Sequence, residues 1–224
     1  SFTDNSLSGT PSDGRKMEDI FAENQAVKIS GSSIASNNKE IVIRAVSGNT
    51  LTFYPGSFAE GTSSTQVTIE RRVPELKVIC ASNNRVWGAD DTTIWACALG
   101  DPLTWYNYDG LSTDSYSVAV GTDGPFTACC EYGSNVLFFK EDKLHKVVGS
   151  VPSEYAVYTY SVTGVQKGSM KSAQVINEML YYKGEDGVYA YNGGVPYLVS
   201  DNFGTRLFQN ARAGTDGKIY YISM

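Results

Sequence analysis

Apolar and polar residues alternate along most of this chain in short runs bounded by Gly, Asn, Asp or Ser, and few stretches repeat at helical spacing. That pattern predicts many short strands. Residues 1 to 25 are polar and rich in Gly and Ser as far as Arg15-Lys16-Met17-Glu18-Asp19-Ile20-Phe21, where one helical turn is expected, capped by Ser12 or Asp13. Alternation begins at Ala26 to Ser30 and continues through Glu40 to Val46, Thr50 to Tyr54 and Gln66 to Glu70. Gly48-Asn49 suits a tight hairpin, because both residues tolerate positive φ. Four such strands suggest a small barrel or sandwich, too small to bury much surface alone and expected to lean on a neighbour.

From Lys77 the pattern repeats. Thr122 to Asp142 lies over Val165 to Glu185 without a gap at an offset of 43, so that Val136-Leu-Phe-Phe-Lys140 falls on Met179-Leu-Tyr-Tyr-Lys183. Moving back by 50 residues puts Arg85-Val86-Trp87 under Asn135-Val136-Leu137. A period of roughly 40 to 50 residues made of short strands is the mark of a β-propeller blade. The first blade comprises Lys77 to Ala81, Arg85 to Ala89, Thr93 to Ala98 and an outer strand within Trp105 to Val120. The second comprises Phe126 to Glu131, Asn135 to Lys140, Lys143 to Val148 and Tyr155 to Thr163. The third comprises Ser172 to Ile176, Met179 to Lys183, Gly187 to Tyr191 and Val195 to Ser200, its hairpin lengthened by one residue at Gly184-Glu185-Asp186. A fourth opens with Ala211 to Ala213, turns at Gly214 to Gly217 and runs from Lys218 to Met224. Its two outer strands are missing, and proteins seldom leave such edges bare, so a longer natural chain or a second chain over the edge is expected.

The expected fold is therefore all-β: residues 1–75, a polar segment plus a small β-barrel or sandwich, and residues 76–224, a partial β-propeller of about three and a half blades truncated in its last. Composition agrees, with 12% aromatic residues and 22 Gly to interrupt the apolar runs. The net charge of −6 is shared along the chain and forms no basic arm. Lys140, Lys143 and Lys146 are interrupted by Glu141 and Asp142 and read as a solvated hairpin tip rather than a surface for duplex nucleic acid. No apolar run approaches the ~20 residues of a membrane span, so no membrane insertion is expected. Cys80, Cys97, Cys129 and Cys130 form no Cys-x-x-Cys pair and read as reduced, mostly buried thiols.

Candidate chemistry is sparse. Gly-Thr-Asp-Gly occurs at 121–124 and 214–217, but the copies sit at different points of the repeat and lack the spaced carboxylates of a calcium loop. His145 is the single histidine, at the repeat position of Tyr189, with no nucleophile motif beside it. Asp90 and Asp91 are consecutive and would point apart on a strand, which suits a hairpin tip better than a catalytic pair. Ala98-Leu-Gly-Asp-Pro-Leu-Thr-Trp105 looks like a degenerate form of the aspartate-box turn of sialidase-type propellers, itself a structural feature. No catalytic, cofactor-binding or metal-binding residue is assigned, and no cofactor is expected. Fourteen of the 15 tyrosines follow residue 100. An aromatic surface of that kind can serve glycans or a protein partner, and the outer strand carrying Tyr155, Tyr158 and Tyr160 is the candidate subunit contact.

Taken in order, Asn84-Arg-Val-Trp-Gly88, Ala98 to Trp105, Leu111-Ser-Thr-Asp-Ser-Tyr116, Phe138-Phe-Lys-Glu-Asp-Lys-Leu-His-Lys-Val147 and Gly164-Val-Gln-Lys-Gly-Ser169 resemble virion proteins of tailed bacteriophages and prophages, the stabilisation, tail-hub or nozzle-like β-propeller group. The likeness spans about Val73 to Met224. Val27 to Gly31, Asn37 to Lys39 and Asn49 to Phe53 also look like a small β-domain of phage tail and connector proteins. The resemblance implies a noncatalytic virion component, made in the bacterial host cytoplasm and assembled as a homo-oligomeric ring with other tail or head–tail proteins. Such a ring passes DNA without reading its sequence. The competing readings are a glycan-binding propeller for receptor attachment and, with only the Asp101 turn behind it, a propeller glycoside hydrolase.

Overall fold

A computed structural model describes residues 1–201 and 208–224. Its regular structure is all β, in antiparallel sheets of which none closes on itself, and the only helical elements among the described residues are short 3-10 turns. The chain forms two compact units: Ser1–Pro74 with Cys97–Asp109 and Asp114–Tyr116, and Glu75–Ala96 with Gly110–Thr113 and Ser117–Met224.

The first unit contains β1 (Ser6–Ser8), β2 (Ala26–Ser30), β3 (Glu40–Val42), β4 (Ala45–Ser47), β5 (Thr50–Thr52) and β6 (Thr68–Arg71). They make two three-stranded sheets, β1-β5-β4 and β3-β2-β6. The run from Glu40 to Val46, expected as one strand, is bent between the two sheets. Ile43 donates its N–H to Gln25 O (3.0 Å) on one side, and Arg44 donates to Thr52 O (2.8 Å) on the other. Ile43, at the corner, is fully buried with Phe2, Leu7, Val27, Ile29, Leu51, Phe53 and Phe58. At the β4–β5 hairpin only Gly48 adopts positive φ (54°), while Asn49 turns its Oδ1 to accept the Met17 N–H at 3.1 Å. That bond anchors the helical turn at Met17–Asp19, which Lys16 precedes in place of the expected Ser12 or Asp13.

The second unit repeats a single sheet plan. Its first sheet is β7 (Val78–Ser82), β8 (Arg85–Ala89), β9 (Thr93–Ala96) and β10 (Tyr116–Ala119), in that order. The second is β11 (Ala128–Tyr132), β12 (Asn135–Phe139), β13 (Lys143–Val148) and β14 (Ala156–Ser161). The third is β15 (Gln174–Ile176), β16 (Met179–Lys183), β17 (Val188–Tyr191) and β18 (Tyr197–Leu198). A two-stranded sheet follows, β19 (Arg212–Thr215) with β20 (Tyr220–Ser223). β7 lies beside β11, and β15 beside β19.

Turn chemistry sets the registers. The first hairpin of each four-stranded sheet has a two-residue loop, at Asn83-Asn84, Gly133-Ser134 and Asn177-Glu178. The asparagines and Glu178 take φ of 49° to 63°, as tight hairpins require. The second hairpin is also the same in all three: Asp90, Lys140 and Gly184 each donate N–H to the carbonyl three residues on. The third sheet therefore has no lengthened hairpin. Its first three strands stand 44 residues after those of the second, pairing Tyr182 with Tyr189 where the second pairs Phe138 with His145. An offset of 43 lays Val136-Leu-Phe-Phe-Lys140 over the similar Met179-Leu-Tyr-Tyr-Lys183 but sets Phe138 on Tyr181, which lies on the opposite face from Tyr182, and a one-residue slip reverses every side chain of a strand.

Leu137, Phe139 and Leu144 of the second sheet pack with Leu180, Tyr182, Tyr189 and Tyr191 of the third in one buried cluster. The Phe139 and Tyr182 rings are 5.2 Å apart, and the Tyr182 hydroxyl donates to Thr163 O at 2.6 Å on the connection between the sheets. That connection runs close to the hairpin at Lys140. A Cβ on Gly164 would lie 1.9 Å from Lys140 O. Gly164→Ala is therefore expected to destabilise the protein by about 2 to 3 kcal/mol, read as a lower urea midpoint at unchanged slope. An unchanged midpoint would show that this approach is not maintained in solution.

Candidate functional site

Tyr158 and Tyr160 lie two residues apart on β14, hence on one face, and are 53% and 46% exposed. They pair with Lys146 and Leu144 of β13, and the other edge of β14 is the outer edge of its sheet. The two phenol rings thus border a strand edge whose backbone groups are open to another chain. Tyr155 does not join them. It precedes the strand and packs edge-on against Trp87 of β8, ring centroids 5.1 Å apart, and burial raises its pKa. Of the three tyrosines singled out in the sequence, two share a surface and the third is an internal contact between the first and second sheets.

A cavity of about 830 Å³ in the second unit is lined by Lys77, Lys167, Lys171 and Arg212, with Phe126 and Met170 among its apolar contributors. Its one carboxylate, Asp91, pairs with Lys77 at 2.5 Å. Behind Phe126 stands Lys140, only 1% exposed, its Nζ 4.8 Å from the ring centroid and donating to Thr122 O at 2.6 Å. Desolvation lowers the Lys140 pKa, opposed by Asp123 and Asp142. The charge pattern of Lys140 to Lys146 suggested a solvated tip, and the structure corrects that for Lys140. Its stem fits between hairpin and ring, and a backbone carbonyl meets its ammonium. The sequence signal was the aromatic run before it, Leu137-Phe138-Phe139, which continues the buried strand up to the turn. A second cavity, about 530 Å³ in the first unit, has Asp13 as its one carboxylate, and Asp13 pairs with Arg15 at 2.6 Å.

The carboxylates singled out as turn residues do turn chemistry. Asp90 accepts the N–H groups of Thr92 and Thr93, both at 2.8 Å, and the Trp95 indole N–H at 2.9 Å. Burial pushes its pKa up, but those hydrogen bonds outweigh it and leave the carboxyl below its usual range. Asp91 faces Lys77 instead, so the adjacent pair diverges. Asp101 accepts the Leu103 N–H (2.9 Å) and the Thr104 hydroxyl (2.7 Å), while the Trp105 indole donates to Pro102 O (2.8 Å). In the second Gly-Thr-Asp-Gly copy, Gly214 and Thr215 belong to β19 and the turn lies at Asp216 to Ile219, two residues beyond its expected place. Asp216 accepts the N–H groups of Lys218 and Ile219 at 2.9 Å each, whereas Thr122 of the first copy contacts His145. Among the described residues, no three His, Cys, Asp or Glu side chains are arranged to hold a metal ion, and no helix is long and apolar enough to cross a membrane.

His145 is fully buried between two hydroxyls, Nε2 3.1 Å from Thr122 Oγ1 and Nδ1 2.9 Å from Thr159 Oγ1, with Phe126 edge-on. Desolvation, then the charges of Lys140 and Lys143, lower its pKa to about 4, opposed by Asp142.

No protein-family model matches the chain, and no curated protein matches its sequence.

With a folded-state pKa near 4 and an unfolded value near 6.5, His145 binds a proton in the unfolded chain first. Its contribution is complete above pH 6.5 and is lost progressively as the pH falls towards 4. The single imidazole is expected to titrate near 4 by NMR, and His145→Gln should flatten the fall in urea midpoint across that window. A titration near 6.5 would contradict the burial.

Proposed function

We propose that this chain is a noncatalytic structural component of a phage or prophage virion, in a tail-hub, nozzle or connector assembly, and that its repeated sheets are blades of a β-propeller. The observation that carries the reading is the threefold recurrence of one four-stranded plan, with the same hairpins and with neighbouring sheets packed face to face through aromatic side chains. First strands side by side, β7 with β11 and β15 with β19, suit sheets arranged as spokes about an axis. The order of motifs that resembles the phage group supplies the biological context. Propellers serve enzymes, binders and scaffolds alike, so the surface has to decide among them.

That surface is the β14 edge with Tyr158 and Tyr160, which suits repeated protein contact: aromatic anchors beside open backbone donors and acceptors. In this reading the edge joins neighbouring copies in a ring through which DNA passes without sequence readout. The same tyrosines favour the second reading, a glycan-binding surface, since sugar rings also stack on exposed phenols. The two separate experimentally. The purified protein is expected to form a closed ring by mass photometry and negative-stain microscopy, and Tyr158→Ser with Tyr160→Ser should weaken assembly by about tenfold or more while leaving the far-UV spectrum unchanged. A monomer at all concentrations that binds glycans through these tyrosines would replace the structural reading with the second.

A further inference from the structure

Cys80 and Cys129 occupy the first strands of adjoining sheets. Cys80 pairs across its sheet with Trp87, and Cys129 pairs with Phe138. Trp87 meets Tyr155 of the second sheet's own connection, so the Cys80 face is turned towards that sheet. Cys129 stands on the face of the second sheet opposite to Leu137 and Phe139, which meet the third sheet, and is therefore turned back towards the first. β7 and β11 run side by side, and Cys80 is the largest influence that raises the Cys129 pKa. Cys129 is buried and Cys80 is half-buried, so Cys80 is the more accessible residue of the pair.

From this arrangement we infer that Cys80 and Cys129 are a disulfide-forming pair, a redox latch that fastens the first sheet to the second. Cys130 is not the partner of either. It lies directly opposite Leu137 and packs with the cluster between the second and third sheets, so its sulfur leaves the strand on the other face from that of Cys129. The chemistry needs a disulfide oxidant such as oxidised glutathione. The Cys80 thiolate attacks one glutathione sulfur, expelling one glutathione thiolate and leaving a mixed disulfide. Cys129 then gives up its proton and attacks the Cys80 sulfur, and the second glutathione departs. Two protein thiols are oxidised, one glutathione disulfide is reduced to two thiols, and the two thiol protons leave the protein. The neighbouring Cys80, and burial after it, hold the Cys129 thiol in its protonated form, so the second step is the slow one. The latch closes a loop of about 50 residues, long enough for a marked loss of unfolded-state entropy.

The test is to expose the folded chain to oxidised glutathione at pH 8 and map disulfides without reduction. The expected product is the tryptic peptide 78–85 joined to the peptide 86–140, with fragmentation placing the bond on Cys129 rather than on Cys97 or Cys130 of the same peptide, and with a thermal midpoint raised by roughly 5 to 10 °C and restored by dithiothreitol. Cys97→Ser and Cys130→Ser should retain the link, and Cys80→Ser should abolish it. Thiols that stay free in the folded protein yet cross-link in urea would overturn the inference, as would a map that joins Cys129 to Cys130. The wild-type map decides the matter even if a variant fails to fold.

Discussion

The contact on which the second unit depends is the aromatic seam between its second and third sheets. Phe139 meets Tyr182, Tyr182 stacks on Tyr189 at 5.9 Å, and Tyr132 meets Tyr191 at 5.2 Å. Each four-stranded sheet alone would leave one apolar face in water, and removing one such ring from a packed seam costs about 3 to 5 kcal/mol. The tyrosines add directional bonds: Tyr182 to Thr163 O and Tyr132 to Glu178 O, 2.6 and 2.7 Å, both across the junction of the two sheets. Hydrophobic area supplies the attraction, and these hydroxyls fix how one sheet sits on the next.

The seam also explains which part of the repeat was legible. Hairpin loops fix strand phase locally, so Arg85–Ala89, Lys143–Val148 and Met179–Lys183 coincide with the strands expected from alternation. The offset was harder. Val136 to Lys140 matches Met179 to Lys183 in the kind of side chain at each position, because paired aromatics resemble each other whether or not the phase is right. Only cross-strand partners show that Phe138 corresponds to Tyr182. Ends of strands were also misjudged where burial rather than propensity decides, as at Tyr197–Leu198, far shorter than Val195 to Ser200.

The surface and polar interior were less legible still. Alternation cannot say that Tyr155 leaves the β14 pattern to meet Trp87, since that depends on a strand 68 residues earlier in the chain. Nor does a charged hairpin sequence disclose that Lys140 lies under a phenyl ring while Glu141, beside it, accepts the Lys167 N–H at 3.0 Å. His145 and Lys140 form one polar group around Thr122, built from three separate stretches of chain, and its members are ordinary strand and turn residues when read singly. Local chemistry was readable where the partners are local, as at Asp90, Asp101 and Asp216.

The second and third sheets form one cooperative body through their aromatic seam. Native-state hydrogen exchange on Tyr182→Ala measures it most directly. Amide protection is expected to fall together in β12, β13, β16 and β17, by a common factor corresponding to about 3 to 5 kcal/mol. Loss of protection confined to β16 and β17, with β12 and β13 unchanged, would contradict it.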